Sequence, residues 1–226
     1  NQLNGTVTIL RDFNGTGFAS NQTLTVGETP TDVILGRFDN DEDLDAIVAN
    51  KSIDSLTILI NDSNGNFTKG ATFSSGGKKP TAIATGLFND DLFPDIAVAN
   101  FGTHPTGGDL GNVTILLGRG NGTFQPAVPY AVGFGPTSIE TGYFNEDNIL
   151  DLVIANFLSD TATILYGSLN GTFTNPHGAL AVSKGPQQVA TWDVDLDDDL
   201  DIVVTSLNNS NTEVISIIRN RRSQGG

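Results

Sequence analysis

Short apolar runs separated by polar, glycine-rich turns recur along the whole chain, and no stretch shows the 3.6-residue spacing of an amphipathic helix. One run begins with Leu-Asp or Pro-Asp, continues with mainly apolar residues and ends with Asn or Ser. Its four copies are Leu44–Asn50, Pro94–Asn100, Leu150–Asn156 and Leu200–Ser206. Many β-branched residues and a short length are typical of a strand buried on both faces. The pattern therefore predicts four equivalent central strands.

A second phrase follows each central strand and also opens the chain. Its copies are Val7–Leu10, Leu56–Leu59, Val113–Leu116, Ala162–Leu165 and a weaker Val214–Ile217. Two copies run into an Asn-Gly pair, at Asn121-Gly122 and Asn170-Gly171. Asn-Gly between apolar runs indicates a tight hairpin, so a further strand is expected after each pair. Each repeat is thus predicted to contain four strands.

Tandem units of this kind, each about 40–50 residues long, are typical of β-propeller blades. We expect an all-β fold, a β-propeller of four-stranded antiparallel blades that forms a single domain over residues 1–226. About four to five blades are visible, and the ring is either closed by pairing of the N- and C-terminal strands or part of a larger ring. The expected units are a half blade at 1–29, full blades at 30–79, 80–135 and 136–185, and a last blade at 186–220 that lacks its outer strand.

Composition narrows the range of functions. The 226 residues hold 26 acidic and 11 basic side chains, a net charge of −15, and no cysteine. Strong acidity argues against nucleic acid as a partner because like charges repel. The lack of cysteine excludes disulfides, thiol catalysis and cysteine-bound zinc within this sequence.

No apolar run is long enough to span a bilayer, so no membrane insertion is expected. With no methionine and no visible signal peptide, the sequence is expected to be a mature or internal segment.

The acidic residues cluster in four loops, each directly before a central strand. The last loop places carboxylates at alternate positions, an arrangement in which oxygens can surround one hard cation such as Ca²⁺. Asp43, Phe93, Ile149 and Asp199 would contribute a backbone carbonyl. The predicted ligands are Asp193, Asp195, Asp197, Asp199 and Asp201; Asp39, Asp41, Asp43 and Asp45; Asn89, Asp91, Phe93 and Asp95; and Asn145, Asp147, Ile149 and Asp151.

The first three loops match this pattern less fully. Their first position holds Arg37, Leu87 or Tyr143, none of which offers a carboxylate. The alternative is that the loops are Asx-rich turns that hold no metal. Because four copies occur at the same strand junction, we favour Ca²⁺ in at least one loop, with 193–201 the strongest candidate.

The phrases LDLVIAN, VTILLGRGNGTF and GPTSIETGYFNEDNILD resemble the VCBS / FG-GAP repeats, over about residues 5–220. Those repeats build the propeller head of integrin α chains and many secreted proteins. The resemblance implies Ca²⁺ between strands one and two of each blade, a ring of seven blades, and a secreted or extracellular location. It also implies adhesion, carbohydrate binding or a scaffold role, with an extracellular protein or glycan as partner. The Phe-Gly and Gly-Ala-Pro signatures of integrin-like copies are absent, so integrin-type ligand binding is not carried over.

No catalytic site is expected. The two histidines, His104 and His177, fall in predicted loops or turns without a nucleophile pattern around them. The dense carboxylate pairs are better explained by metal than by glycosidase chemistry. We therefore expect a non-catalytic, calcium-stabilised extracellular binding or adhesion module. A carbohydrate-binding lectin and an accessory domain of a secreted hydrolase or lyase are the alternatives.

Three aromatic residues and one histidine mark a possible ligand face on the side opposite the acidic loops. They are Phe101, His104, Phe134 and Phe157, and packing between blades is the alternative for the three phenylalanines. Because blades are missing, self-association that completes a ring is a further possible interaction. Several Asn-x-Ser/Thr sequons would make a secreted eukaryotic form a glycoprotein. They include Asn14, Asn21, Asn61, Asn66, Asn121, Asn170 and Asn208.

Overall fold

The computed structural model describes residues 1–103, 108–145, 147–207 and 212–220. Over these residues the chain forms antiparallel sheets that follow one another in chain order, and the only helices are two 3₁₀ turns, Gln2–Asn4 and Lys51–Ile53. The all-β fold and the four-stranded unit predicted from the sequence are confirmed. None of the described residues belongs to a helix with the length and apolar character needed to cross a membrane.

The strands fall into five sheets. The first sheet contains β1 (Thr6–Phe13) and β2 (Phe18–Thr25). The second contains β3 (Pro30–Gly36), β4 (Asp45–Asn50), β5 (Ser55–Asn61) and β6 (Phe67–Ser74). The third contains β7 (Pro80–Gly86), β8 (Asp95–Asn100), β9 (Asn112–Leu116) and β10 (Val128–Tyr130). The fourth contains β11 (Pro136–Gly142), β12 (Asp151–Asn156), β13 (Thr161–Gly167), β14 (Phe173–Thr174) and β15 (Ala179–Ala181). The fifth contains β16 (Pro186–Trp192), β17 (Asp201–Leu207) and β18 (Glu213–Ile218).

The apolar layers lie between consecutive sheets. The second strands β4, β8 and β12 are buried along their whole length, as their β-branched composition predicts. Ile47 and Ile96 belong to one cluster that joins the second and third sheets. Ile154 joins the third and fourth sheets, and Val204 joins the fourth and fifth. Because burying one such side chain contributes about 1.5–3 kcal/mol, the stacking of neighbouring sheets stabilises the fold.

The first strands of the last four sheets lie side by side, with β3 against β7, β7 against β11 and β11 against β16. Among these four sheets, a threonine hydroxyl forms a hydrogen bond from each sheet to the next. Thr31 donates to the carbonyl of Pro80 at 3.0 Å, Thr81 to Pro136 at 2.8 Å and Thr137 to Pro186 at 3.1 Å. This Pro-Thr dipeptide recurs at the start of three first strands and acts as a clasp from one sheet to the next.

A buried asparagine ends the second strand of three sheets. The Nδ2 atoms of Asn50, Asn100 and Asn156 donate to the hydroxyls of Thr57, Thr114 and Thr163 at 2.9, 3.1 and 3.0 Å. In the third sheet the chain of hydrogen bonds continues, because the Thr114 hydroxyl donates to the Ser75 carbonyl at 2.5 Å. This network ties the second and third strands to the connection that precedes the unit.

The outer strands of the third and fourth sheets are shorter than the repeats suggest. In the fourth sheet the single expected outer strand is two short ones, β14 and β15, which both pair with β13. Pro176 and Gly178 lie between them, and proline offers no N–H to a ladder. In the third sheet Pro126 and Pro129 confine β10 to three residues.

Candidate metal centre

The acidic loops connect the first strand to the second in the last four sheets, so all four occupy equivalent positions. Each loop ends in a fully buried aspartate. One carboxylate oxygen accepts an N–H from the start of the loop, and the other accepts an N–H from the end of the third strand or the residue or two after it. The four buried aspartates are Asp45, Asp95, Asp151 and Asp201. In that order, the N–H donors at the start of the loop are Phe38, Phe88, Phe144 and Val194, at 3.1, 2.8, 2.8 and 3.1 Å. The N–H donors near the end of the third strand are Asn61, Gly118, Gly167 and Asn220, at 3.0, 2.7, 2.9 and 2.9 Å.

Burial makes the carboxylates of Asp45, Asp95 and Asp151 hard to ionise, because it raises their pKa. It raises the pKa of Asp95 and of Asp151 to about 6, against the opposing effect of the backbone N–H groups that donate to them. The neighbouring charges of Asp91 and Asp147 raise these two pKa values further. Burial also raises the pKa of Asp45. A cation beside such a carboxylate would favour its charged form.

The last loop gathers the densest carboxylate cluster. Oxygens of Asp193, Asp195 and Asp197 all lie within 4.8 Å of one another, and among the described residues this is the one group of three that meets this criterion. The Asp193 carboxylate accepts the N–H groups of Asp197 at 3.1 Å and Asp198 at 3.0 Å, which curls the loop around it. Carboxylates at this spacing suit a hard, oxygen-preferring ion such as Ca²⁺.

Two features of this loop show how crowded its charges are. Partial desolvation and the charges of Asp197 and Asp201 raise the pKa of Asp195. One cation contributes from within the chain, because Arg219 Nε lies 3.7 Å from Asp195 Oδ2. Within the described residues Arg219 is the one cation that pairs with this loop, and its single charge leaves most of the negative charge of the loop uncompensated.

The first three loops are built as Asx turns. The Asp39 carboxylate accepts the N–H of Asp41 at 3.2 Å, and the pKa of Asp39 is raised by partial burial and by its acidic neighbours. Asn89 donates its amide to Asp91 at 2.8 Å, and Asn145 donates to Asp147 at 2.9 Å. The N–H groups of Phe93 and Ile149 then donate to Asp91 and Asp147, both at 2.8 Å. These loops share the frame of the last loop but bring fewer carboxylates together.

Two side chains that contact the acidic loops from elsewhere in the chain were not predicted from the sequence. The Ser63 hydroxyl donates to the Asp43 carboxylate from the turn after β5. Arg219 approaches Asp195 from the end of β18. Both come from the segment after the third strand, 20 and 24 residues away in sequence. The signal available was the repeat register, which places that segment opposite the acidic loop.

The proposed ligand face is spread over successive units. The ring of Phe101 lies against Gly135 and that of Phe157 against Gly185, in each case on the connection that leads into the next sheet. Lys51 Nζ lies 5.6 Å from the centre of the Phe101 ring. Phe134 is 42% exposed, and His104 lies outside the described residues. The two half-buried rings therefore occupy equivalent inter-sheet positions one unit apart.

Comparisons with known proteins identify the family of the repeat and proteins of similar fold. A family model described as an FG-GAP-like repeat matches residues 37–98 and 88–154. No curated protein matches the chain. A solved protein from Lactobacillus plantarum is similar in fold, with a TM-score of 0.53 and 16% identity over 95% of this chain and 68% of the other. A functionally unknown protein from Desulfotomaculum acetoxidans DSM 771 aligns with a TM-score of 0.46 and 12% identity over 97% of this chain and 77% of the other.

Proposed function

Because the chain belongs to the FG-GAP-like repeat family, we propose that it is a non-catalytic β-propeller module of the extracellular space, whose fold is stabilised by Ca²⁺ in its acidic loops. The observation that carries the proposal is the cluster of Asp193, Asp195 and Asp197, whose oxygens lie within 4.8 Å of one another. Its function is to present a rigid surface to an extracellular protein or glycan.

The propeller arrangement is supported by the packing of the sheets. First strands lie side by side from β3 to β16, and outer strands lie away from them, as blades do around an axis. The threonine clasps join the first strands one to the next. Determining whether an experimental structure places the five sheets around one axis tests this arrangement, and a straight stack would reject it.

Calcium is favoured over magnesium by the donor set. Ca²⁺ accepts six to eight oxygens in flexible geometry, whereas Mg²⁺ needs a stricter octahedron. A short loop of carboxylates and carbonyls suits the first requirement. Sites of this kind in extracellular modules bind Ca²⁺ with dissociation constants of about 10⁻⁴–10⁻³ M, which matches an environment where the ion is abundant.

The role of the ion is structural. It would lower the repulsion within 193–201 and fix the turn between β16 and β17. An ion that binds only the folded chain stabilises it by about 2.7 kcal/mol at a hundredfold excess over its dissociation constant. The binding role is supported by the exposed Phe134 on a connection between rigid sheets, since loops on rigid scaffolds commonly carry recognition.

Thermal unfolding in EDTA, and then with Ca²⁺ or Mg²⁺ in excess, tests the calcium proposal. The melting temperature is expected to rise with Ca²⁺ and much less with Mg²⁺. Asp195→Ala removes both oxygens of a proposed ligand and should abolish most of the rise. Asp198→Asn is the matched control, because it makes the same charge change in the same loop at a non-ligand position whose backbone φ of 70° suits asparagine. A melting temperature that ignores Ca²⁺, or an equal response in both variants, would overturn the proposal.

A further inference from the structure

A side pocket of about 590 Å³ lies between the outer edge of the second sheet and the 116–127 segment of the third. Phe73 on β6 and Phe124 form part of its wall, with ring centres 5.2 Å apart and planes inclined at 31°. Pro126 and Ala127 extend the apolar surface. Pockets of 300–1,000 Å³ with mainly apolar walls are typical of small-molecule sites.

One charged residue lines this pocket. Arg119 is exposed, and within the described part of the chain it forms no ion pair. A free guanidinium beside an apolar wall is complementary to a ligand that has an apolar body and one negative end.

At the position of Arg119 the two neighbouring units carry no arginine, whereas the fifth unit has Arg221 there. The residue before it, Gly118, donates its N–H to Asp95, and the equivalent donors in the neighbouring sheets are Asn61 and Gly167. The residue that follows is therefore Asp62 in the second sheet and Ser168 in the fourth.

The aromatic pair of this pocket also differs from its counterpart. The next unit places Tyr130 beside Phe173, at 5.7 Å and 78°, and Phe173 is buried there. In the third unit Phe124 is only half-buried and contributes to the open wall. The combination of an open aromatic wall with an arginine is thus a local feature, which the repeat itself does not require.

We propose that this pocket binds a small apolar carboxylate, with its aryl or short acyl part against Phe73 and Phe124 and its carboxylate at Arg119. The ligand would bind reversibly and without metal. None of the residues that line this site is a predicted metal ligand, so the proposal does not require calcium in those loops. The planar guanidinium provides paired donors for a carboxylate, which a lysine would not match.

Titration of the ¹⁵N-labelled chain with naphthalene-2-carboxylate, followed by NMR, tests the proposal. Saturable shifts are expected at 71–76 and 116–127. The neutral analogue naphthalene-2-carboxamide should bind about tenfold more weakly, because it lacks the charge that pairs with Arg119.

Three variants make the test specific. Arg119→Ser introduces the residue that the fourth sheet carries and should remove the preference for the acid over the amide. Lys184→Ser removes one positive charge elsewhere and should leave the preference intact. Ala71→Trp, on the exposed face of β6, should weaken binding of both compounds by filling the pocket. The proposal is overturned if nothing saturates up to about 10 mM, if the shifts map elsewhere, or if Arg119→Ser keeps the preference.

Discussion

At the scale of single residues, the buried aspartate that ends each acidic loop has a double role. The sequence predicted Asp45, Asp95, Asp151 and Asp201 as metal ligands from their spacing alone. That spacing could not reveal that each carboxylate also accepts an N–H near the end of the third strand, 16 to 23 residues further on. Such partners depend on how strands pair, which no local pattern records. These two hydrogen bonds to each buried aspartate, which we call the clamp, therefore organise the loop before any ion binds.

This clamp predicts an unusual pH dependence in the metal-free protein. The folded-state pKa of Asp95 and of Asp151 is about 6, above the ordinary value of 3.8, so the folded chain binds protons that the unfolded chain releases. The free energy of unfolding should therefore fall as the pH rises from about 4 to about 7, by on the order of 1–2 kcal/mol for each carboxyl. Urea unfolding in EDTA at a series of pH values measures it.

The control is the double variant Asp95→Asn and Asp151→Asn, which should lose most of this slope while being less stable at every pH, because each asparagine leaves a backbone N–H without its acceptor. Added Ca²⁺ should flatten the slope in the unaltered chain, since a cation lowers both pKa values. Stability that rises with pH over this range in EDTA would contradict the interpretation.

At the scale of strands and sheets, the sequence predicted the central strands well and the outer strands poorly. LDAIVAN and its copies are continuous apolar runs, and burial on both faces demands that composition. Outer strands face solvent, so their composition is weakly constrained, and the prolines at 126, 129 and 176 shorten or divide them. The inter-sheet threonine clasps were not predicted either, because a Pro-Thr dipeptide does not indicate a hydrogen bond between sheets until the packing of the two sheets is known.

The clasps make a prediction about cohesion between sheets. Thr81→Val keeps the shape of the side chain but removes the hydroxyl that donates to Pro136 and Ala99, at 2.8 and 3.1 Å. The free energy of unfolding should fall by about 1–2 kcal/mol, as two buried carbonyls lose a shared donor. Gln187→Val is the control, because Gln187 occupies the same position in the fifth sheet, is exposed, and makes no side-chain hydrogen bond within the described residues. Equal losses from both variants in urea unfolding would show that the clasp contributes nothing specific.

At the scale of the whole molecule, the repeat predicts what every unit shares and is silent about what one unit adds. The five stacked sheets and the acidic loops follow from the shared pattern. The pocket at Arg119 does not, because Phe73 meets Arg119 and Phe124 only through the packing of the second sheet on the third. The repeat register could have indicated it, since an arginine stands where the two neighbouring units carry aspartate and serine.

The fifth sheet leads to the last prediction. Within the described residues β18 (Glu213–Ile218) pairs only with β17, and its exposed side chains include Ile215 at 66% and Ile217 at 52%. An edge strand that presents isoleucines is a template for pairing with another chain. The net charge of −15 opposes contact between copies, and salt screens that repulsion over about 8 Å at 0.15 M. The isolated chain should therefore self-associate, and more strongly as salt rises.

Light scattering coupled to size-exclusion chromatography measures this association. Ile217→Lys places a charge on the exposed side of the edge strand and should shift the chain towards monomer at every salt concentration. Thr68→Lys makes the same charge change on β6, the outer strand of the second sheet, where Thr68 is already polar and exposed, and should leave association unchanged. If both lysines dissociate the complexes equally, net charge alone controls assembly. If the unaltered chain stays monomeric at high salt, the edge of β18 is not an association surface, and a ring completed by a second copy at this edge is excluded.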